Sequence, residues 1–115
     1  MERQELLDKM LNILGDVRND RLEIQKLESE KETQLQILNT EIAKIEVDVF
    51  CDETLKNKDA RESVITRRKQ ENSIYTQAIS KVRELDSQIN KIKIDVEYLD
   101  NLWKTYRVVY GEYKW

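Results

Sequence analysis

Residues 75–113 read YTQAISKVRELDSQINKIKIDVEYLDNLWKTYRVVYGEY, with an apolar or aromatic residue at alternating steps of three and four and no gap. This spacing is that of heptad core positions, the residues that face the partner helix in a coiled coil. The predicted core positions are Tyr75, Ala78, Val82, Leu85, Ile89, Ile92, Val96, Leu99, Trp103, Tyr106, Tyr110 and Tyr113. Since the chain also has no proline, this stretch predicts one long coiled-coil helix.

The first half of the chain has a heptad frame of its own. Its predicted core positions are Leu7, Met10, Leu14, Val17, Arg21, Ile24, Glu28, Lys31, Leu35, Leu38, Ile42, Ile45 and Val49. Continued beyond Val49, this frame meets only polar residues as far as Gln77. Because the two frames do not join, we expect the chain to turn between them rather than to form a single rod.

The segment CDETLKN, residues 51–57, is the best position for that turn. Asn57 is a good helix N-cap, and Asp59 follows where a negative charge favours the helix dipole, while Asp52 is a second candidate cap. We predict an all-α fold, a single helical-hairpin domain over 1–115 with antiparallel helices at about 2–50 and 58–114 and a bend at about 51–57. A parallel dimer of one kinked helix is the alternative.

The equal rise of two helices sets the register of such a hairpin. If Val49 faces Lys58, residue i faces about residue 107−i, so Met1 reaches only to about Tyr106. The aromatic C-terminal end then lies beyond helix one, unless a longer first helix or a folded-back terminus covers it. Because an exposed apolar end favours association, we predict an oligomeric helical bundle. The predicted oligomer or partner contacts are Leu99, Leu102, Trp103, Tyr106, Tyr110, Tyr113 and Trp115.

Composition places the chain among cytoplasmic, helical proteins. Charged residues make up 37% and apolar residues 39%, and the formal net charge is −3. The N-terminus lacks the apolar stretch of a signal peptide, and no stretch is long and apolar enough to cross a bilayer. A single cysteine, Cys51, rules out an intramolecular disulfide and agrees with a reducing compartment.

Catalysis has little support in this sequence. There is no histidine to move protons near neutral pH, and Cys51 has no second cysteine for metal or redox chemistry. Isolated glycines at positions 15 and 111 do not form a phosphate-binding loop. We therefore predict no enzymatic activity, no metal and no cofactor.

A basic segment follows the predicted bend. Residues 56–69 contain six basic and two acidic side chains, and they lie beside the exposed tip of the hairpin. Positive side chains at such a tip contact nucleic-acid phosphates without sequence preference. The predicted nucleic-acid-binding residues are Arg61, Arg67, Arg68 and Lys69. The alternative is a solvated helix face whose charges pair with nearby acids such as Glu46 and Asp52.

Two stretches resemble bacteriophage proteins. LKNKDAR at 55–61, RRKQEN at 67–72 and then Tyr75 resemble small coiled-coil phage proteins. IKIDVEYL at 92–99, followed by Trp103, Tyr106 and Arg107, is similar to the helical end of phage recombination mediator proteins. That resemblance implies a small helical oligomer in the cytoplasm of a bacterial host, which binds single-stranded DNA and helps to load a recombinase.

The sequence thus predicts a non-enzymatic, homo-oligomeric coiled-coil adaptor. Its most specific form is a phage-type accessory to DNA recombination or replication that contacts single-stranded DNA through the basic tip and also holds a recombination or replication protein. The alternative is a protein-only scaffold, or a small inhibitor of a host system, that acts through the aromatic C-terminal end. A prefoldin-like chaperone subunit is a third option, but the centre lacks the strand pattern that it requires.

Overall fold

The computed structural model describes residues 2–113, except for the side chain of Tyr113. The chain forms three helices, α1 (Arg3–Phe50), α2 (Lys58–Glu71) and α3 (Ser73–Tyr113), and the described residues contain no strand. The prediction of an all-α helical hairpin is confirmed. The chain divides into two compact units, unit 1 (Met1–Glu28 with Ser87–Trp115) and unit 2 (Ser29–Asp86).

Unit 1 pairs the first half of α1 with the second half of α3. The pairing is antiparallel, because Arg3 contacts Tyr110 near one end and Glu28 lies 4.0 Å from Lys93 near the other. Its buried side chains are aliphatic, as expected for a chain with one phenylalanine. They are Leu6, Met10, Ile13, Val17, Leu27 and Ile89.

Unit 2 contains the end of α1, all of α2 and the start of α3. Ile45 and Val49 of α1 are buried, as are Ala78 and Leu85 of α3. The Lys31 ammonium lies 2.6 Å from the Asp86 carboxylate, which again sets α1 antiparallel to α3. In contrast, α2 has no buried residue, so α1 and α3 supply the apolar core of this unit.

The heptad frame predicted for α3 agrees with the burial of its side chains. Every predicted core position from Tyr75 to Tyr110 is buried or half-buried. Because its apolar residues run without interruption, this heptad frame buries more apolar surface than any other frame of α3, and the sequence therefore predicts it clearly.

The frame predicted for α1 is correct at ten of its thirteen positions, which are buried or half-buried, but Leu14, Arg21 and Glu28 are exposed. At each of these three positions the preceding residue is the more buried one. Ile13 is 5% exposed, whereas Leu14, the predicted core residue, is 50% exposed. The inward residues that replace the three are Ile13, Asp20 and Leu27.

The turn between α1 and α2 occupies residues 51–57 and is held by two side chains. Asn57 is the N-cap of α2, as predicted, and its Oδ1 accepts a 2.7 Å hydrogen bond from the Ala60 amide. Asp52 does not cap the helix. Its carboxylate instead accepts hydrogen bonds from the Thr54 amide and hydroxyl, at 3.0 Å and 2.6 Å, and so closes the turn locally.

The second helix is interrupted at Asn72, where the sequence predicted one continuous helix over about 58–114. Asn72 is extended, with φ −82° and ψ 110°, and its amide still donates to the Arg68 carbonyl at 3.0 Å. Its Oδ1 accepts a 3.0 Å hydrogen bond from the Tyr75 amide at the start of α3. Asn72 therefore ends α2 and caps α3.

The predicted register of the hairpin is wrong. Arg3 was expected to lie near residue 104 and Glu41 near residue 66, but their observed partners are Tyr110 and Asn72. The partner is six residues further along the chain in both cases. The difference begins at the turn, where Phe50 lies against Arg61 rather than residue 57. As a result, α1 reaches Tyr110, and the predicted overhang of residues 108–110 is absent.

Candidate functional site

The predicted basic tip does not form one solvent-facing cluster. Arg61 is half-buried, and its Nε donates a 2.9 Å hydrogen bond to the Leu55 carbonyl. The Arg61 guanidinium also lies 5.8 Å from the centroid of the Phe50 ring, within cation–π distance. Arg61 therefore holds the turn against the end of α1.

Arg68 and Lys69 are also half-buried on α2. The Lys69 ammonium lies 5.9 Å from the Tyr75 ring centroid. The pKa of Asp52 is below its ordinary value, because Thr54 donates two hydrogen bonds to its carboxylate and the Arg68 charge adds to their effect. Of the four predicted residues, only Arg67 is exposed.

The predicted C-terminal contact residues contribute mainly to unit 1 itself. Five of them are half-buried: Leu99, Leu102, Trp103, Tyr106 and Tyr110. The Arg3 guanidinium donates a 3.1 Å hydrogen bond to the Tyr110 hydroxyl and lies 5.4 Å from its ring centroid. The Tyr113 side chain and all of Trp115 lie outside the described residues.

Two apolar surfaces that face solvent were missed by the sequence reasoning. The first is on α1, where Leu11, Leu14 and Leu22 are each at least half exposed. The second is on α3, where Ile94, Tyr98 and Val108 are between 62% and 69% exposed, and we call these three residues the α3 outer stripe. Their spacing is helical, but the stronger core pattern on each helix concealed them.

Unit 1 also contains a carboxyl group at an inward position, Asp20, which lies near the exposed Asp95. The Asp20 Oδ2 atom is buried without a hydrogen-bond partner. The interaction with the Asp95 side chain, burial and the negative charge of Asp16 together raise the pKa of Asp20 to about 6. The Asp20 carboxyl is therefore partly protonated in mildly acidic solution.

Unit 2 has a polar contact across the hairpin at Glu41, which is only 8% exposed. The Asn72 side-chain amide donates a 3.1 Å hydrogen bond to one Glu41 oxygen, and the Lys44 ammonium lies 3.3 Å from the other. These two groups hold the pKa of Glu41 below its ordinary value, despite the opposite effect of burial. The same asparagine thus connects the break in the second helix to α1.

Comparisons with known proteins assign this chain to no family. No protein-family model matches it, and no curated protein or solved structure is significantly similar. Within residues 2–113, no acidic, cysteine and histidine side chains converge as a metal site requires. None of the helices over those residues has the length and apolar character to cross a bilayer.

Proposed function

We propose that this chain is a non-enzymatic coiled-coil adaptor that binds a protein partner through the α3 outer stripe. The exposure of Ile94, Tyr98 and Val108, beside a core face that is already packed, carries this proposal. A helix of the hairpin that has apolar residues on both faces contacts more than one neighbour.

The spacing of the stripe favours a helical partner. Ile94 and Tyr98 are one turn apart, and Val108 follows after ten residues, so all three lie along one side of α3. An amphipathic helix presents its apolar residues along one side and can therefore pack lengthwise against this side of α3. Tyr98 is the strongest anchor of the three, because tyrosine contributes a large contact area at low conformational cost.

Photocrosslinking in cells tests the adaptor role. The photoreactive residue p-benzoylphenylalanine would replace Tyr98 in the full chain, and replacement of the exposed neighbour Glu97 is the matched control. We expect a discrete adduct from position 98 and none from position 97. Adducts of equal yield from both positions, or none from either, would contradict the proposal.

Contact with single-stranded DNA is a second candidate function. The exposed residues Lys56, Lys58 and Arg67 support it, since they keep positive charge on the surface of the turn and α2. This role corresponds to the recombination accessory that the resemblance to phage recombination mediator proteins implies. The half-buried arginines hold the turn in place for these exposed charges.

Fluorescence anisotropy of a labelled single-stranded oligonucleotide, at two salt concentrations, tests DNA contact. If the turn binds phosphate, Lys56→Glu with Arg67→Glu abolishes salt-sensitive binding. Lys91→Glu with Lys104→Glu changes the net charge equally at exposed positions of α3 and serves as the control. Equal losses in both double variants would indicate an effect of net charge alone and would count against a site at the turn.

A further inference from the structure

One side of α1 in unit 1 has exposed leucines between charges of opposite sign. We call it the α1 outer face, and it consists of Leu7, Asp8, Leu11, Leu14, Gly15 and Arg18. Leu11 is 57% exposed, and a shallow groove runs from Leu14 past Arg18 to Leu22. The steps from Leu7 to Leu11, Leu14 and Arg18 are four, three and four, so this face has a heptad spacing of its own.

Gly15 has no explanation within a single chain. A glycine inside a helix destabilises it relative to alanine. The Gly15 backbone does not need a positive φ, and a Cβ added there would meet no atom within 4 Å. A missing side chain beside exposed leucines does, however, allow a second helix to approach closely.

The order of charges along this face matches that of an antiparallel second copy. With the two-fold axis at residue 13, residue i faces about residue 26−i of the second copy, so Leu11 faces its Gly15 and Asp8 faces its Arg18. A parallel copy would instead place like charges together. Within the described residues neither Asp8 nor Arg18 belongs to a salt bridge. Gln4 donates a 3.0 Å hydrogen bond to one Asp8 oxygen, and a carboxylate can accept a further bond from an arginine of the second copy.

We propose that a second copy of this chain docks antiparallel on the α1 outer face. The leucines form the centre, Leu11 of each copy packs against Gly15 of the other, and an Asp8–Arg18 pair closes each end. The inference rests on the proposed adaptor function and deepens it, because a dimer presents two α3 outer stripes to partners. Its geometry depends only on α1.

Molar mass as a function of protein concentration, measured by sedimentation equilibrium, tests the dimer. We expect the wild-type chain to pass from monomer to dimer. Leu11→Ser with Leu14→Ser should raise the dissociation constant at least about tenfold, because both copies lose buried apolar contact area. Ile37→Ser with Val47→Ser is the matched control, because both residues are exposed on α1 in unit 2. The control should stay within about twofold of the wild type.

A charge exchange tests the antiparallel register. Asp8→Arg alone and Arg18→Asp alone should each weaken the dimer, and the double exchange should restore it. Within one chain the two positions are about 15 Å apart along the helix, so they cannot compensate each other there. Circular dichroism should show the same helicity in all of these variants. Their changed residues lie on the α1 outer face or, in the control, at the exposed positions Ile37 and Val47.

A wild-type chain that stays monomeric at every concentration would overturn the inference, as would a dimer that Leu11→Ser with Leu14→Ser leaves unchanged. A double exchange that is no stronger than the single variants would overturn the antiparallel register. The adaptor function is tested independently of the dimer, because crosslinking at Tyr98 reports on α3 and leaves the α1 outer face unchanged.

Discussion

At the scale of single residues, the most unusual group is the Asp20 carboxyl, because it lies where a coiled coil usually has an apolar side chain. The charged groups that act on it are Asp95 on α3 and Asp16 on α1, and both are acidic. Its pKa in the folded chain, about 6, is above the ordinary 3.8. The folded state therefore binds more protons than the unfolded state between these two values.

Lowering the pH from 7 to 5 should accordingly stabilise unit 1. The stabilising proton is fully present below pH 3.8 and is lost as the pH rises through about 6. Asp20→Asn should remove this dependence and stabilise the chain at pH 7 by about 1 kcal/mol, since one pKa unit is worth about 1.4 kcal/mol and partial exposure weakens the effect. Urea unfolding of both proteins from pH 4 to 8 measures the difference.

Asp16→Asn is the control for this prediction. Asp16 is exposed and acts on Asp20 only through its charge, so its replacement should have a smaller effect with the same sign. A wild-type chain whose stability relative to Asp20→Asn does not change between pH 5 and 7 would show that the two carboxyl groups are not coupled.

The residues of α1 explain why the sequence did not predict an inward position for Asp20. The predicted frame fails only at Leu14, Arg21 and Glu28, and two of these three are charged. Counting apolar residues over the whole helix favours that frame, because it contains Leu35 and Ile42 where the residues one earlier are polar. The inward position of Asp20 depends on contacts with the second half of the chain, where its neighbour is Asp95.

At the scale of the helix, two adjacent residues distinguish the frames. Ile13→Ala should destabilise the chain by about 2–4 kcal/mol because it leaves a cavity in the core, whereas Leu14→Ala should cost less than about 1 kcal/mol. Ile13 is 5% exposed and Leu14 is 50% exposed, so the pair is well matched in size and position. Urea unfolding at a protein concentration below that of dimer formation measures both. Equal losses would contradict the observed frame.

The break at Asn72 depends on one contact that is near in the sequence and on another that is far from it. An asparagine followed by serine is compatible with a cap, but it is equally compatible with a helix surface, so the sequence alone predicted no break. The deciding contact is the hydrogen bond to Glu41, which lies 31 residues earlier in the chain. The cap of α2 at Asn57 needs no such contact, and for that reason it was predictable.

Replacing Asn72 separates its role as a helix cap from its hydrogen bond to Glu41. Asn72→Ala should cost about 1 kcal/mol for the lost cap and should raise the pKa of Glu41, which loses its amide donor. Asn72→Asp keeps an acceptor for the Tyr75 amide but places a second carboxylate beside Glu41. Its stability at pH 7 should therefore recover when Glu41→Gln is added. A failure of this double variant to recover would indicate that Asn72 acts only as a cap.

At the scale of the whole molecule, the question is whether the aromatic C-terminal residues fold the chain or bind its partners. Fold class and helix faces on α3 were predictable from periodicity. The register was not, because a turn of the predicted length still leaves open which residue of α2 lies against Phe50, and in the structure that residue is Arg61. The six-residue difference changes the role of this end, since it brings Arg3 to Tyr110 and places α1 beside residues that otherwise overhang.

Trp103 provides the test of these two roles. It is half-buried, its Nε1 atom is buried, and the Arg107 guanidinium lies 5.6 Å from its ring. If Trp103 packs within its own chain, Trp103→Ala should destabilise by about 3 kcal/mol, and the loss should be the same at low and high protein concentration. Tyr98→Ala, at a position that is 62% exposed, should cost less than about 1 kcal/mol. A loss for Trp103→Ala that appears only at concentrations where the chain dimerises would instead assign this tryptophan to an interface between copies.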